Sequence, residues 1–314
     1  MTELTITANT LQAQSQRLTP DLYTSFTHYI DAKPKTIETY TRAIRQLGRY
    51  LSCRGIDQPT RQDLIAFRED LKQEHKPSTV QSYIVAVRQF FKWLAQMGLY
   101  PNIAEHLKGA TIDKEHKKDY LTTAQARNVL TSIETSTEQG RRDFAILALM
   151  ITCGLRDIEV HRANIEDLRA VGDSPALYLQ GKGKEERTQF VLIPAEVERA
   201  IRASLADRAG ATGSAPLFIS LSNNSRGDRI STRSISGTVK QRLINAGYNS
   251  DKLTAHSLRH TAVTLALKNG ATIQEAQQFA RHSNIATTLI YAHNLDRAKN
   301  KCSSAIAGAV FAGA

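Results

Sequence analysis

Apolar residues recur at helical spacing along most of the chain, and the elements follow from where that spacing starts and stops. Thr19 followed by Pro20 predicts an N-cap and a first helical turn, opening an amphipathic segment through Ile30. Ile37, Tyr40, Ile44, Leu47 and Leu51 put one apolar stripe on a helix from Lys35 to Arg54, with Gly55 as its stop. Thr60 predicts the cap of a third helix through His75. Ser78 opens a fourth, whose stripe of Val80, Ile84, Val87, Phe91 and Leu94 ends at Met97-Gly98. Residues 19–99 are therefore expected to form an all-helical domain behind a tail at 1–18.

From 100 to 119 the chain is polar and basic, carries Pro101 and lacks a sustained apolar period, which predicts an interdomain linker. Helical patterns resume at 122–134 and 141–153. The period then changes: ALYLQ and TQFVLIP are short β-rich runs, and the intervening GKGKEER suits an exposed hairpin turn. Helical segments return at 195–209, 231–246, 257–268, 272–280 and 285–291, with a last helix near 296–308. The expected fold is mainly α with a small β-hairpin in a C-terminal domain covering 120–314.

Composition narrows the partner. Lysine and arginine number 41 against 30 aspartates and glutamates, giving a net charge of +11, which suits nucleic acid because neutralising phosphates releases counterions. A charged content of 23% beside 41% apolar residues fits packed cores rather than disorder. Cys53, Cys153 and Cys302 are odd in number and in no metal-binding spacing, which fits a reducing cytoplasmic compartment. The N-terminus lacks the basic-then-apolar pattern of a secretory signal, and no stretch is long enough to span a bilayer.

Six residues carry candidate chemistry. Arg156 stands in CGLRDIEV at the start of a helix, where its fork can hold two phosphate oxygens; Glu159, three residues on, can orient it. Lys182, at the tip of the hairpin, can enter a groove and deliver a proton. Its GKGK lacks the spacing of a nucleotide-binding loop. His256 and Arg259 in LTAHSLRHT lie three apart on a helix starting near Ser257, so both can serve one phosphate near a positive helix end. His260 is expected to point elsewhere and to be structural. His282 and Tyr291 are nine apart, on opposite faces of a single helix, unless Ser283 or Asn284 caps a new helix and lets them converge. Taken singly, each reads as surface charge or packed aromatic.

Together, and in this order, these residues resemble the tyrosine recombinase (phage integrase) family, which includes the Xer-type recombinases. Its Gly-Leu-Arg segment, hairpin Gly-Lys-Gly, His-x-x-Arg box, His-Ser and tyrosine are met at Arg156, Lys182, His256, Arg259, His282 and Tyr291. The helices with TIETYTRAIRQLGRYL and STVQSYIVAVRQFFKWL look like the family's core-binding domain. Arg281 departs from the pattern, standing where many members carry glycine, and is read as a possible contact to DNA. Only about 20 residues precede the first helix, so the separate arm-binding domain of many larger integrases is expected to be missing.

The resemblance implies attack by Tyr291 on a scissile phosphate. A 3′-phosphotyrosine forms and a 5′-hydroxyl departs, with Arg156 and Arg259 on the non-bridging oxygens, Lys182 as general acid and His256 and His282 assisting proton transfer. It implies no cofactor, nucleotide or metal. The partner is duplex DNA with an inverted-repeat core site, bound by a homotetramer that exchanges strands through a Holliday junction. A paralogous recombinase or accessory protein is an optional addition. Cytoplasmic, nucleoid-associated action follows. Integration and excision of a mobile element is the favoured purpose; resolution of chromosome or plasmid dimers is the alternative within the family, and non-catalytic site-specific DNA binding the alternative outside it.

Overall fold

Among the described residues, four N-terminal helices begin at prolines or a capping threonine: α1 (Pro20–Tyr29), α2 (Pro34–Cys53), α3 (Arg61–Glu74) and α4 (Pro77–Gln96). Proline suits a first turn because its missing N–H would have had no helical partner. α4 accordingly opens on Pro77, ahead of the Ser78 start that the sequence suggests. Thr60 and Asp63 form a capping box at α3, where the Asp63 carboxylate accepts from the Thr60 N–H at 2.7 Å. Gly55, at φ +64°, follows the end of α2.

The computed structural model describes residues 18–112, 119–180, 186–208, 210–299, 306 and 310, and the chain divides into two compact units, 1–114 and 115–314. In the first unit the stripes of α2 and α4 meet as a core containing Ile44, Leu47, Ile84, Val87 and Phe91. Phe26 packs at ring distances of 5.2 Å from Phe90 and 5.6 Å from Trp93, sealing α1 to α4. The segment expected to be linker is in part packed: Tyr100, Ala104 and Leu107 are buried in this same core. Their apolar positions are too few and too close to Pro101 to show a period. Residues 113–118, the most basic stretch, lie outside the described residues.

The second unit is built around α6 (Glu138–Thr152), which α5 (Thr123–Thr131) precedes and α7 (Asp157–Arg162) follows. A 3₁₀ turn at Ile165–Asp167 leads into the antiparallel sheet β1 (Leu168–Val171), β2 (Ser174–Leu179) and β3 (Gln189–Leu192), in the order β1-β2-β3. β1 was not legible as a strand. It is four residues long and pairs Val171 with Ser174 across Gly172-Asp173, with Gly172 at φ +57°. Its signal was that Gly-Asp turn.

Among the described residues of the unit, five further helices follow: α8 (Ala195–Leu205), α9 (Thr232–Asn245), α10 (Ala255–Lys268), α11 (Ile273–Ala280) and α12 (Ile285–Lys299). α10 starts two residues before the expected Ser257. α12 runs without the break expected between 291 and 296, because Ala292–Asp296 contains no proline or glycine to stop it. α6 is buried nearly all round, and its buried Asp143 accepts from Arg142 at 2.7 Å and from Arg242 of α9 at 2.6 Å. That carboxylate is matched by two guanidiniums, as burial of a charge requires. Among the described residues no helix is long and apolar enough to cross a membrane.

Candidate active site

The site gathers where α7 and α10 begin and α11 ends. Gly154 follows α6 at φ +61°, and a Cβ there would stand 3.0 Å from a ring carbon of Phe279. Glycine is therefore needed for both backbone and space. The turn brings Arg156 to the N-cap of α7. Glu159, one turn on and fully buried, accepts from the Arg156 guanidinium at 2.7 Å and from its backbone N–H at 2.8 Å. The expected orienting role of Glu159 has this geometry. Burial works against the Glu159 carboxylate, but Arg281 and Arg156 together outweigh it and hold its pKa below the ordinary value.

Arg259 points inward from α10 and is 1% exposed. It donates to the Gly154 carbonyl at 2.5 Å and to the carbonyl of Ala280, the last residue of α11, where the helix end offers unsatisfied acceptors and partial negative charge. Both acceptors are neutral, so its positive charge is held without being cancelled. Burial first, then the charges of Arg156 and Arg281, push the Arg259 pKa down to about 9, which still leaves it protonated at neutral pH. His256, exposed on the otherwise buried first turn of α10, adds to the positive field felt by His282.

α11 ends in a Schellman turn: the Arg281 N–H bonds the Gln278 carbonyl at 2.9 Å, and the His282 N–H bonds that of Gln277 at 3.1 Å. Asn284 then caps α12, its side-chain oxygen accepting from the Ala286 N–H at 2.9 Å. This break is the one needed for His282 and Tyr291 to converge. Their rings stack at 6.1 Å and 26°. His282 Nδ1 is fixed by the buried Thr288 hydroxyl at 2.9 Å. Burial, then the charges of Arg259, Arg156, Arg281 and His256, lower the His282 pKa to about 4, so the ring is neutral at pH 7. Tyr291 is 2% exposed. Burial raises its hydroxyl above the usual value while Arg259 and Arg156 pull it down.

Two expectations need correction. His260 does not point away from this cluster: its buried ring packs 4.5 Å from that of Tyr291, and Tyr120 stacks on it at 5.8 Å. Arg281 does not face outward toward DNA: its side chain is 5% exposed and donates to Glu159 at 2.8 Å. The carbonyl of Gly154, the ring of His260 and the hydroxyl of Thr288 are parts of the site that residue-type reasoning passed over. The glycine before Leu-Arg was the available signal for the first.

Lys182 lies outside the described residues. The described residues on either side are held in place: Leu179 pairs with Gln189 as the last rung of β2 and β3. Arg187 donates to the buried Asp167 carboxylate at 2.8 Å. Two guanidiniums thus pair with the one Glu159 carboxylate and a third, Arg259, lies within its field, a surplus of positive charge suited to a phosphate that gains negative charge as it reacts.

The phage integrase family model matches residues 119–298, and its N-terminal SAM-like domain matches residues 22–100. A tyrosine recombinase XerC of Pelobacter propionicus is 32% identical over 278 residues, covering 84% of this chain and 86% of that protein. A tyrosine recombinase XerC of Caldanaerobacter subterraneus subsp. tengcongensis is 33% identical over 180 residues, 55% of this chain and 47% of that protein. Among solved structures, the XerH site-specific recombinase bound to difH substrate in a pre-cleavage complex superposes with a TM-score of 0.69 at 20% identity, covering 84% of this chain and 79% of that one. A lambda integrase dimer bound to a COC′ core site gives 0.69 at 16%, covering 88% and 77%; at these identities the two structures speak for the fold. With both family domains matched in order, and a relative 32% identical along most of both chains, the chain belongs to the phage integrase family of tyrosine recombinases, enzymes that cleave and rejoin DNA.

Proposed function

We propose that Tyr291 is the nucleophile and that it attacks a scissile phosphate of duplex DNA, making a 3′-phosphotyrosine as the bond to the 5′-oxygen breaks. The observation that carries this reading is that the Tyr291 hydroxyl lies in the fields of both Arg259 and Arg156 while its ring stacks on His282. Arg156 and Arg259 hold the non-bridging oxygens, whose charge grows at pentacoordinate phosphorus. His282, neutral at pH 7, accepts the phenolic proton or passes it on through His256. Lys182 protonates the departing 5′-oxygen.

The ester is conserved in the phosphotyrosine, so a 5′-hydroxyl from another strand can reverse the step without an external energy source. Neither nucleotide nor divalent metal enters this scheme. Because Tyr291 is buried, DNA binding has to open the packing around it before its oxygen can reach phosphorus.

The DNA partner is a duplex core site with inverted repeats, held by four protomers that exchange strands in pairs through a Holliday junction, in the cytoplasm at the nucleoid. A relative matched along 86% of its length is a XerC, which favours an Xer-type role, resolving chromosome or plasmid dimers, over the mobile-element role suggested by the sequence. The test is a set of nicked duplexes tiled across DNA flanking the gene and across the chromosome's replication-terminus region, incubated with the protein. Cleavage at a chromosomal inverted repeat, with a newly exposed 5′-hydroxyl that a kinase can label, is the expected result. An adduct on the 5′ side would overturn the proposed polarity, and cleavage only at the ends of a mobile element would restore the other role.

A further inference from the structure

Arg281 occupies a position that its backbone makes awkward. At φ +51° and ψ 45° it fills the left-handed place in the Schellman turn, where glycine is accommodated without strain. The arginine side chain makes contacts there that glycine could not. Its guanidinium donates to the Phe279 carbonyl at 2.8 Å, to Glu159 Oε2 at 2.8 Å and to the Gly154 carbonyl at 3.1 Å, and the side chain is 5% exposed.

Two of these acceptors are shared with the phosphate-holding arginines. Glu159 takes the Arg156 guanidinium on its other oxygen, and the Gly154 carbonyl also takes Arg259. A continuous path therefore runs from Arg156 through Glu159, Arg281 and Gly154 to Arg259, tying together the start of α7, the inward face of α10 and the end of α11. His282 is the next residue on the turn that Arg281 closes. Resting on the proposed function, we propose that Arg281 is a positioning residue that holds Arg156 and Arg259 in register for one phosphate and makes no contact with DNA.

Glu159 is paired with Arg156 from α7 and Arg281 from the end of α11, and Arg259 from α10 feels its charge. Removal of Arg281 leaves the buried carboxylate with less support, so it takes up a proton at a higher pH and loosens its hold on Arg156. A role confined to capping α11 predicts the opposite of damage from glycine, which relieves the strained φ.

The experiment compares wild type, Arg281→Gly and Arg281→Lys on a nicked duplex carrying the core site, measuring single-turnover formation of the covalent adduct from pH 5.5 to 8, with binding followed by gel shift. Arg281→Gly should keep site affinity within about twofold, since few phosphate contacts are touched. Its cleavage should fall about 10- to 100-fold, the range for losing a charge-assisted hydrogen bond that aligns reacting groups, and fall more steeply than that of wild type between pH 7 and 5.5. Arg281→Lys should recover part of the rate and of the wild-type profile. Equal rates and profiles for wild type and Arg281→Gly would overturn the proposal. Carbon-13 titration of the Glu159 carboxyl without DNA reads the link independently of catalysis: an upward shift in Arg281→Gly supports it, and no shift overturns it. Absence of any adduct from wild type counts against the proposed function alone.

Discussion

Gly154→Ala tests whether the turn before Arg156 aligns the site. The residue sits at φ +61°, where an L side chain costs about 1–2 kcal/mol. The added methyl would stand 3.0 and 3.2 Å from two ring carbons of Phe279, tighter than ordinary contact, and overpacking of this kind adds about 1–2 kcal/mol more. The sum is about 2–4 kcal/mol, and for a unit spanning 115–314 that lowers Tm by about 4–16 °C. Phe279→Ala removes the ring but not the backbone strain. In that background Gly154→Ala should therefore cost only about 1–2 kcal/mol, and the double-mutant cycle should show coupling of about 1–2 kcal/mol. The Gly154 carbonyl receives both Arg259 and Arg281, so a displaced turn should also slow adduct formation by about tenfold or more. Thermal unfolding of the four proteins and a single-turnover cleavage assay supply both readings. A Gly154→Ala protein that melts within about 1 °C of wild type would refute the steric reasoning, and a less stable one that cleaves at the wild-type rate would refute the alignment.

Other consequences are as direct. The His282 ring should titrate by NMR near 4 and not near the ordinary histidine value; because the unfolded chain takes up that proton at higher pH than the folded one, His282 contributes a loss of stability as pH falls from about 6.5 toward 4. A titration midpoint at 6 or above would contradict the burial and arginine fields described for it. Lys182→Ala should slow cleavage of ordinary DNA but be largely rescued when sulfur replaces the leaving 5′-oxygen, since a thiolate departs without a proton; no rescue would remove Lys182 from the role of general acid. Adduct formation should persist in excess EDTA, and its loss there, restored by magnesium, would contradict a scheme in which arginines supply the positive charge.

The helices were legible because their signals are local. Pro20, Thr60 and the stripe of α4 each mark an element within a few residues, as does the Asn284 cap that separates His282 from the helix of Tyr291. What escaped depends on distant parts of the chain. β1 is strand only because Ala176 and Leu177 lie opposite Arg169 and Leu168. His260 reads as structural on its own helix, and its place beside Tyr291 is set by α12 folding back against α10. Arg281 reads as an outward basic residue because sequence carries no sign of a left-handed φ that turns its side chain toward Glu159, 122 positions away. The gathering of Arg156, Arg259, His282 and Tyr291 was legible only as a pattern in order, since each alone has an ordinary use.

The most direct measurement places wild type and Tyr291→Phe side by side on the same nicked core-site duplex, without magnesium or nucleotide, and looks for protein–DNA adducts that survive detergent. Loss of one hydroxyl should leave site binding nearly unchanged, abolish the adduct, and allow the wild-type adduct to be traced by peptide mapping to residue 291. An adduct formed by Tyr291→Phe, or one mapped to another side chain, would contradict the assignment of the nucleophile.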